Sequence, residues 1–163
     1  MRLEDITVFE IVFTSIVGML LILIIRLSKC LPAYKSHRKR YKSKKELSVM
    51  VIFGSGGHTT EMLKMIGKLD PVRYRPFHFV LAASDTTSKG KIEAVKLSYS
   101  ESTVWHTIPR SREVKQSWFT TIGTTAWSFC HSFLLVSKLK PDIILCNGPG
   151  TCVPVCLSAF LLR

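Results

Sequence analysis

Residues 47–69 read LSVMVIFGSGGHTTEMLKMIGKL, and this stretch decides the fold. Its opening, Leu47–Phe53, is a continuous apolar and β-branched run ending at a glycine, the pattern of a strand buried on both faces of a parallel sheet. Gly54, Gly56 and Gly57 then let the backbone turn tightly and come close to a ligand. Beyond them Met62, Met65, Ile66 and Leu69 return at helical spacing, so the stretch is predicted to be strand, glycine loop and helix. A helix opening on such a loop points unpaired N–H groups and the positive end of its dipole outward, which suits a phosphate or diphosphate.

Downstream the alternation continues. Phe77–Ala83 reads as a second strand after a connection bracketed by Pro71 and Pro76, and Ser84-Asp85-Thr86-Thr87 caps a short helix over Lys89–Leu97. A third strand, Thr103–Ile108, leads into the polar loop Pro109–Ser117 with Arg110, Arg112 and Lys115. A helix over Trp118–Leu139 and a fourth strand, Ile143–Cys146, complete the series. This order predicts an α/β fold with a parallel sheet and right-handed crossovers, in which ligands gather at the carboxyl ends of the strands. The loops Gly54–Thr60, Ser84–Thr87, Pro109–Ser117 and Asn147–Thr151 all fall at that edge.

Two apolar stretches of the domain resemble membrane spans only in part. Ile143–Leu162 is uncharged, but Asn147, Gly148, Pro149, Gly150 and Pro154 interrupt it, so it reads as strand, glycine loop and loop-to-helix junction. Gln116–Ser137 is also uncharged, yet Thr120, Thr121, Thr124, Thr125, Ser128, His131 and Ser132 make it too polar for a lipid-exposed span. It reads as a crossover helix packed on the sheet, with a helix lying against the membrane surface as the rival.

Upstream lies a different kind of segment. Ile6–Ile25 is an apolar run of 20 residues broken only by Glu10, and a helix of that length spans about 30 Å, the thickness of a bilayer core. Residues 26–45 follow with nine lysines and arginines and no acid, so most of the formal charge of +12 sits in one short segment. A cleaved signal peptide fits less well, because Glu4 and Asp5 precede the run and no small-residue cleavage site follows it. By the positive-inside rule the run is a membrane anchor with its N-terminus lumenal and the rest of the chain cytosolic. The basic segment serves as topology signal and linker, or attracts anionic headgroups, and Cys30 is a lipidation candidate or an idle thiol. The chain thus divides into an anchor (residues 1–28), a basic linker (29–45) and a Rossmann-like domain (46–163).

The composition excludes several classes. Five cysteines without a CxxC pair indicate neither a disulfide framework nor a zinc site, and the histidine spacings suggest no metal either. The charge is too localised for a nucleic-acid-binding face. A P-loop would need Gly-Lys-Ser/Thr where this chain has His58-Thr59-Thr60. A dinucleotide site finds Gly54-x-Gly56 and Asp85 at the end of the second strand, but position 59 is threonine, which leaves a membrane-anchored nicotinamide oxidoreductase as the runner-up.

His58 is placed to face a bound phosphate or act as a general base, or else to cap and pack. Arg110 and Arg112 form a candidate diphosphate clamp, or a solvated loop. Asn147-Gly-Pro-Gly-Thr151 is a second candidate phosphate cradle, or a tight strand-to-helix turn.

Three stretches, Phe53-Gly-Ser-Gly-Gly-His-Thr59 with Glu61-Met62, Pro109–Ser117, and Asn147–Pro154, together with the leading anchor, make the chain resemble the asparagine-linked glycosylation protein fourteen family. The resemblance covers essentially the whole chain. It implies the N-terminal, acceptor-binding half of a split GT-B glycosyltransferase, similar to the bacterial lipid-linked peptidoglycan transferases with their GGH loop. It implies a function too: the membrane subunit of the transferase that adds the second N-acetylglucosamine to dolichyl-diphosphate-N-acetylglucosamine. A separate soluble partner would carry the UDP-N-acetylglucosamine site and be recruited to the cytosolic face of the endoplasmic reticulum. Carried over, Gly54, Ser55, Gly56, Gly57, Thr59, Arg110, Arg112 and Glu113 would border the acceptor diphosphate. His58 would be the candidate catalytic group, and Asn147, Gly148, Gly150 and Thr151 the second glycine loop. No cofactor or metal is implied. The family continues past Arg163, so the domain is expected to be incomplete and to hold its partner poorly.

Overall fold

A computed structural model of the chain describes residues 3–30, 45–95, 103–113 and 116–162. It separates into two units, Met1–Lys42 and Ser43–Arg163. The first is one helix, α1 (Leu3–Cys30), and its stretch Glu10–Ser28, with a mean hydropathy of 2.4, is the one helix among the described residues long and apolar enough to cross a membrane. Nearly all of the basic linker, residues 31–44, lies outside the described residues, as does the side chain of Cys30.

In the second unit the elements run β1 (Leu47–Phe53), α2 (Gly57–Ile66), β2 (Tyr74–Ala82), α3 (Ser88–Ala94), β3 (Thr103–Ile108), α4 (Trp118–Leu139), β4 (Ile143–Asn147) and α5 (Pro149–Leu162). All four strands are parallel, in the order β3-β2-β1-β4. The apolar run that opens the sequence argument is thus a central strand, and alternate side chains of β1 feed two different cores. Val49, Val51 and Phe53 face α2 and α3, where they join Met62, Ile66, Phe77, Phe79, Leu81 and Ile92. Met50 and Ile52 face α4 and α5, where they meet Val80, Ile108, Val136, Cys152 and Val155. Phe79 is the hinge of the first core, edge-on to Phe53, Phe77 and Trp105 at centroid distances of 5.0, 6.0 and 5.4 Å.

Two boundaries depart from expectation for local reasons. Strand β2 starts at Tyr74 and runs through Pro76 rather than after it. The register slips by one residue between the Leu47–Tyr74 and Val49–Phe77 pairs, and such a slip accommodates a residue with no N–H to give. Helix α5 runs through Pro154 instead of being interrupted there. Proline in a helix interior removes the bond to the carbonyl four residues back, here Gly150. That carbonyl is taken by the Ser111 hydroxyl, which reaches it from the loop after β3. Of the helix expected over Lys89–Leu97, the described part ends at Ala94, and residues 96–97 lie outside the described residues.

Candidate functional site

The close approach of two glycine loops builds the site. A Cβ on Gly54 would stand 2.4 Å from the Asn147 carbonyl oxygen and 3.2 Å from the Cα of Gly148, so no other residue fits while β1 and β4 end side by side. Gly56, at φ 68°, takes the left-handed turn that feeds α2. Behind the turn Thr59 is fully buried: its hydroxyl donates to the Gly54 carbonyl at 2.6 Å and meets the Ser88 hydroxyl at 2.7 Å. Ser88 in turn donates to Asp85 at 2.6 Å.

In front of the loops lies a cavity of about 720 Å³. Gly54, Ser55 and His58 line it from the first loop, Gly148, Gly150 and Thr151 from the second, and Arg110, Arg112 and Glu113 from the loop after β3. The structure therefore brings together most of the residues singled out from the sequence. Gly56, Gly57, Thr59 and Asn147 are not in its wall: they shape the loops or hold other residues. Ser84–Thr87 does not reach the cavity either, and Lys115 lies outside the described residues.

Three helices open on this space. The first-turn residues of α2 and α5 and the N-terminal Trp118 and Thr121 of α4 all line it, and none of the three helices carries an acidic residue in its first turn. Three positive dipole ends and two arginines converge here against two carboxylates, Glu61 beside His58 and Glu113 beside Arg110, an arrangement that suits an anion. Arg110 is already held in place. Its Nη2 donates to the Ser55 hydroxyl at 2.9 Å and its Nη1 to Glu113 at 3.2 Å, and its side chain lies against Gly150. Two of its five N–H donors are so engaged, leaving the fork oriented and partly free. Arg112 lies over the Trp118 ring, 4.3 Å from its centroid.

His58 is oriented as well. Its Nδ1 is 3.3 Å from Glu61 Oε2, and Asn147 Nδ2 donates to the same carboxylate oxygen at 2.9 Å and to the His58 carbonyl at 3.2 Å. The hydrogen bond from Asn147, reinforced by that from His58, holds the Glu61 carboxyl below its ordinary range. An ionised Glu61 can only accept, so Nδ1 carries the proton and Nε2 is left as the free nitrogen of a cavity-lining ring. Such an imidazole accepts a proton from a hydroxyl or, once protonated, donates to a phosphate oxygen.

The loop carrying the arginines is fastened by residues the sequence argument left as generic helix polarity. Thr124 and Thr125 donate to the Ser111 carbonyl at 2.7 and 3.2 Å, and Ser128 donates to the Pro109 carbonyl at 2.6 Å. Ser111, Trp118 and Thr125, which also line the cavity, had no signal in the sequence beyond their place near the loop. Glu61 did have one, since it stands three residues after His58 on the same helix face.

The nicotinamide reading is not favoured. Asp85, which would have to meet a ribose, spends its carboxylate on the backbone N–H groups of Thr87 and Ser88 at 3.2 and 3.0 Å and on the Ser88 hydroxyl.

Comparison with known proteins agrees with the resemblance. The family described as "Oligosaccharide biosynthesis protein Alg14 like" matches residues 49–163. A rat protein named UDP-N-acetylglucosamine transferase subunit ALG14 is 45% identical over 153 residues, covering 89% of this chain and 68% of the relative. Its human counterpart is 48% identical over 127 residues, covering 73% and 58%. A Candida albicans protein of the same name is 36% identical over 166 residues, covering 100% and 74%. The chain thus spans 58% of the human relative's length and 68% of the rat's. No solved structure matches it. The chain belongs to the Alg14 family.

Proposed function

We propose, from membership of the Alg14 family and from the cavity where three helix N-termini meet two arginines, that this chain is the membrane-bound, acceptor-binding subunit of a two-component UDP-N-acetylglucosamine transferase. Its acceptor is dolichyl-diphosphate-N-acetylglucosamine, to which the complex adds the second N-acetylglucosamine of the N-glycan precursor. A soluble subunit resembling the sugar-nucleotide half of a GT-B enzyme provides UDP-N-acetylglucosamine and is recruited to the cytosolic face of the endoplasmic reticulum. In this reading residues 1–28 are the anchor, 29–45 the linker and 46–163 the acceptor-binding domain.

The convergence of helix dipoles carries the reading, because a diphosphate is the part of the acceptor that such a field selects. Gly54 and Ser55, with the second loop Gly148, Gly150 and Thr151, border the phosphates through backbone N–H groups. Arg110 pairs with them in the orientation that Ser55 and Glu113 impose. Arg112 takes the outer phosphate oxygens. His58, with Nε2 free, hydrogen-bonds a phosphate oxygen or receives the proton of the attacking sugar hydroxyl.

The test is a transfer assay with radiolabelled UDP-N-acetylglucosamine and the lipid acceptor, with the chain alone and with the soluble subunit added. The chain alone should transfer nothing. In the complex Arg110→Ala should lower kcat/KM by about 10²-fold, the scale of one lost charge-stabilising donor. Transfer without a second protein would overturn the two-component reading, and an Arg110→Ala complex as active as wild type would overturn the diphosphate site.

A further inference from the structure

Helix α4 turns much of its polarity inward and much of its apolar surface outward, although Val136 near its end is buried in the core with Leu135 and Leu139 packed against it. The side turned to the protein carries Thr124, Ser128 and Ser132, the last two fully buried, and Thr124 and Ser128 spend their hydroxyls on loop carbonyls. The side turned outward carries Phe119, Ile122, Trp127 and Leu134, which are 90%, 73%, 61% and 68% exposed. Val153 and Leu157 of the neighbouring α5 add to this surface. Between Gln116 and Ser137 there is no Asp, Glu, Lys or Arg to break it. Single exposed apolar residues are ordinary, but a continuous aromatic and aliphatic face along 22 residues of helix is not a water-facing surface.

We propose that this face lies in the interfacial layer of a bilayer, with α4 along the membrane surface as a second lipid contact besides α1. The inference rests on the membrane residence proposed above and not on the transferase chemistry. Its occupant follows from charge and composition. Trp and Phe are the side chains that settle at the headgroup level, and cations stand at both ends of the face: Arg112 stacked on Trp118 at one end, exposed Lys138 and Lys140 at the other. That pattern complements anionic headgroups above an acyl layer. Trp118 and Val153 belong both to this face and to the cavity wall, so the cavity opens next to lipid. A ligand with an apolar chain reaches the anion site while its chain stays in the bilayer.

The test uses the full chain in vesicles of phosphatidylcholine and phosphatidylinositol, the former brominated part-way along its acyl chains. Three single-tryptophan chains, made by Trp→Phe changes, retain Trp105, Trp118 or Trp127, and Trp105 on the α3 side of the sheet is the internal control. Bromolipid should quench Trp127 at least about twofold more than Trp105, and Trp127 should be shielded from aqueous acrylamide, as for an interfacial helix. Phe119→Asp with Ile122→Asp changes only exposed side chains and should return Trp127 to the Trp105 level with an unaltered circular dichroism melt. Equal quenching of Trp127 and Trp105 would overturn the proposal. So would shielding of Trp127 that arises only when the soluble subunit is added, since the face would then belong to a protein partner. Resistance to carbonate extraction reports α1 separately: an extractable chain whose Trp127 is still quenched sinks the anchor and keeps the face.

Discussion

The two sides of the sheet are built on opposite plans. On one, α2 and α3 bury Met62, Leu63, Ile66 and Ile92 against three phenylalanines and present Lys64, Lys89, Lys91 and Glu93 outward. On the other, Met50, Ile52, Val80, Ile108 and Val136 share the interior with His78, Ser128, Ser132 and Ser158, while tryptophan, phenylalanine and leucine of α4 face out. The first plan is what a protein surrounded by water requires. The second sacrifices part of that driving force to fasten the arginine loop from within, and its outward apolar face is intelligible only where something other than water covers it. The cavity's glycine loops sit at the edge between these two plans.

The sharpest way to probe this difference is to empty the core on each side. Phe79→Ala removes the ring shared by three aromatic contacts and should lower stability by about 3–5 kcal/mol, measured as urea unfolding of the detergent-solubilised chain. A loss below 1 kcal/mol there would mean that the water-facing plan is not where stability resides. Ser111→Ala strikes the other side: it orphans the Gly150 carbonyl and should cost about 1–3 kcal/mol. It should also loosen Arg110, seen as a raised KM for acceptor at nearly constant unfolding midpoint for the α2 side in hydrogen exchange.

Acid should separate the two sides with a smaller effect. His78 Nδ1 and His106 Nε2 are 3.2 Å apart, on the α4 side of β2 and β3. Burial, then the neighbouring His106, lowers the pKa of His78; burial, then Lys138, lowers that of His106. Both fold as neutral rings while the unfolded chain takes up protons near pH 6.5, so stability is full above that value and falls as the pH drops below it. The fall should be absent in a His78→Gln, His106→Gln chain, and hydrogen exchange at pH 5.5 should rise in β3 and α4 before α2. The smallest effect is expected at Ser132, whose buried hydroxyl has no partner among the described residues. Ser132→Ala should change stability by less than about 0.5 kcal/mol or raise it; a marked loss would show that the hydroxyl is used.

The parallel sheet, the apolar span and the meeting of Gly54, Arg110 and Gly150 at one edge were legible because each rests on a local pattern: a strand-length apolar run, a glycine at its end, a helix period. What escaped depends on distant partners. Pro154 is tolerated inside α5 because a serine from another loop accepts the consequence. Thr124, Thr125 and Ser128 read as polarity spoiling a helix until the carbonyls of Pro109 and Ser111 are placed against them. Cysteines without a CxxC motif still meet: Cys146 and Cys156 come within 3.5 Å as α5 folds back over β4, and the hydrogen bond from Cys146 draws the Cys156 thiol down to about 6.

Pro154 also carries a lesson about addressing. Every other interior carbonyl of a helix is already spoken for by an amide one turn on, so a hydroxyl approaching it must compete. By withholding one amide, the proline leaves an uncontested acceptor in the first turn of α5, beside the cavity, and the Ser111 hydroxyl claims it. Pro154→Ala would refill that acceptor from within the helix, making the Ser111 hydroxyl redundant, so the two substitutions should cost less together than apart. An absence in one segment thereby encodes the position of another.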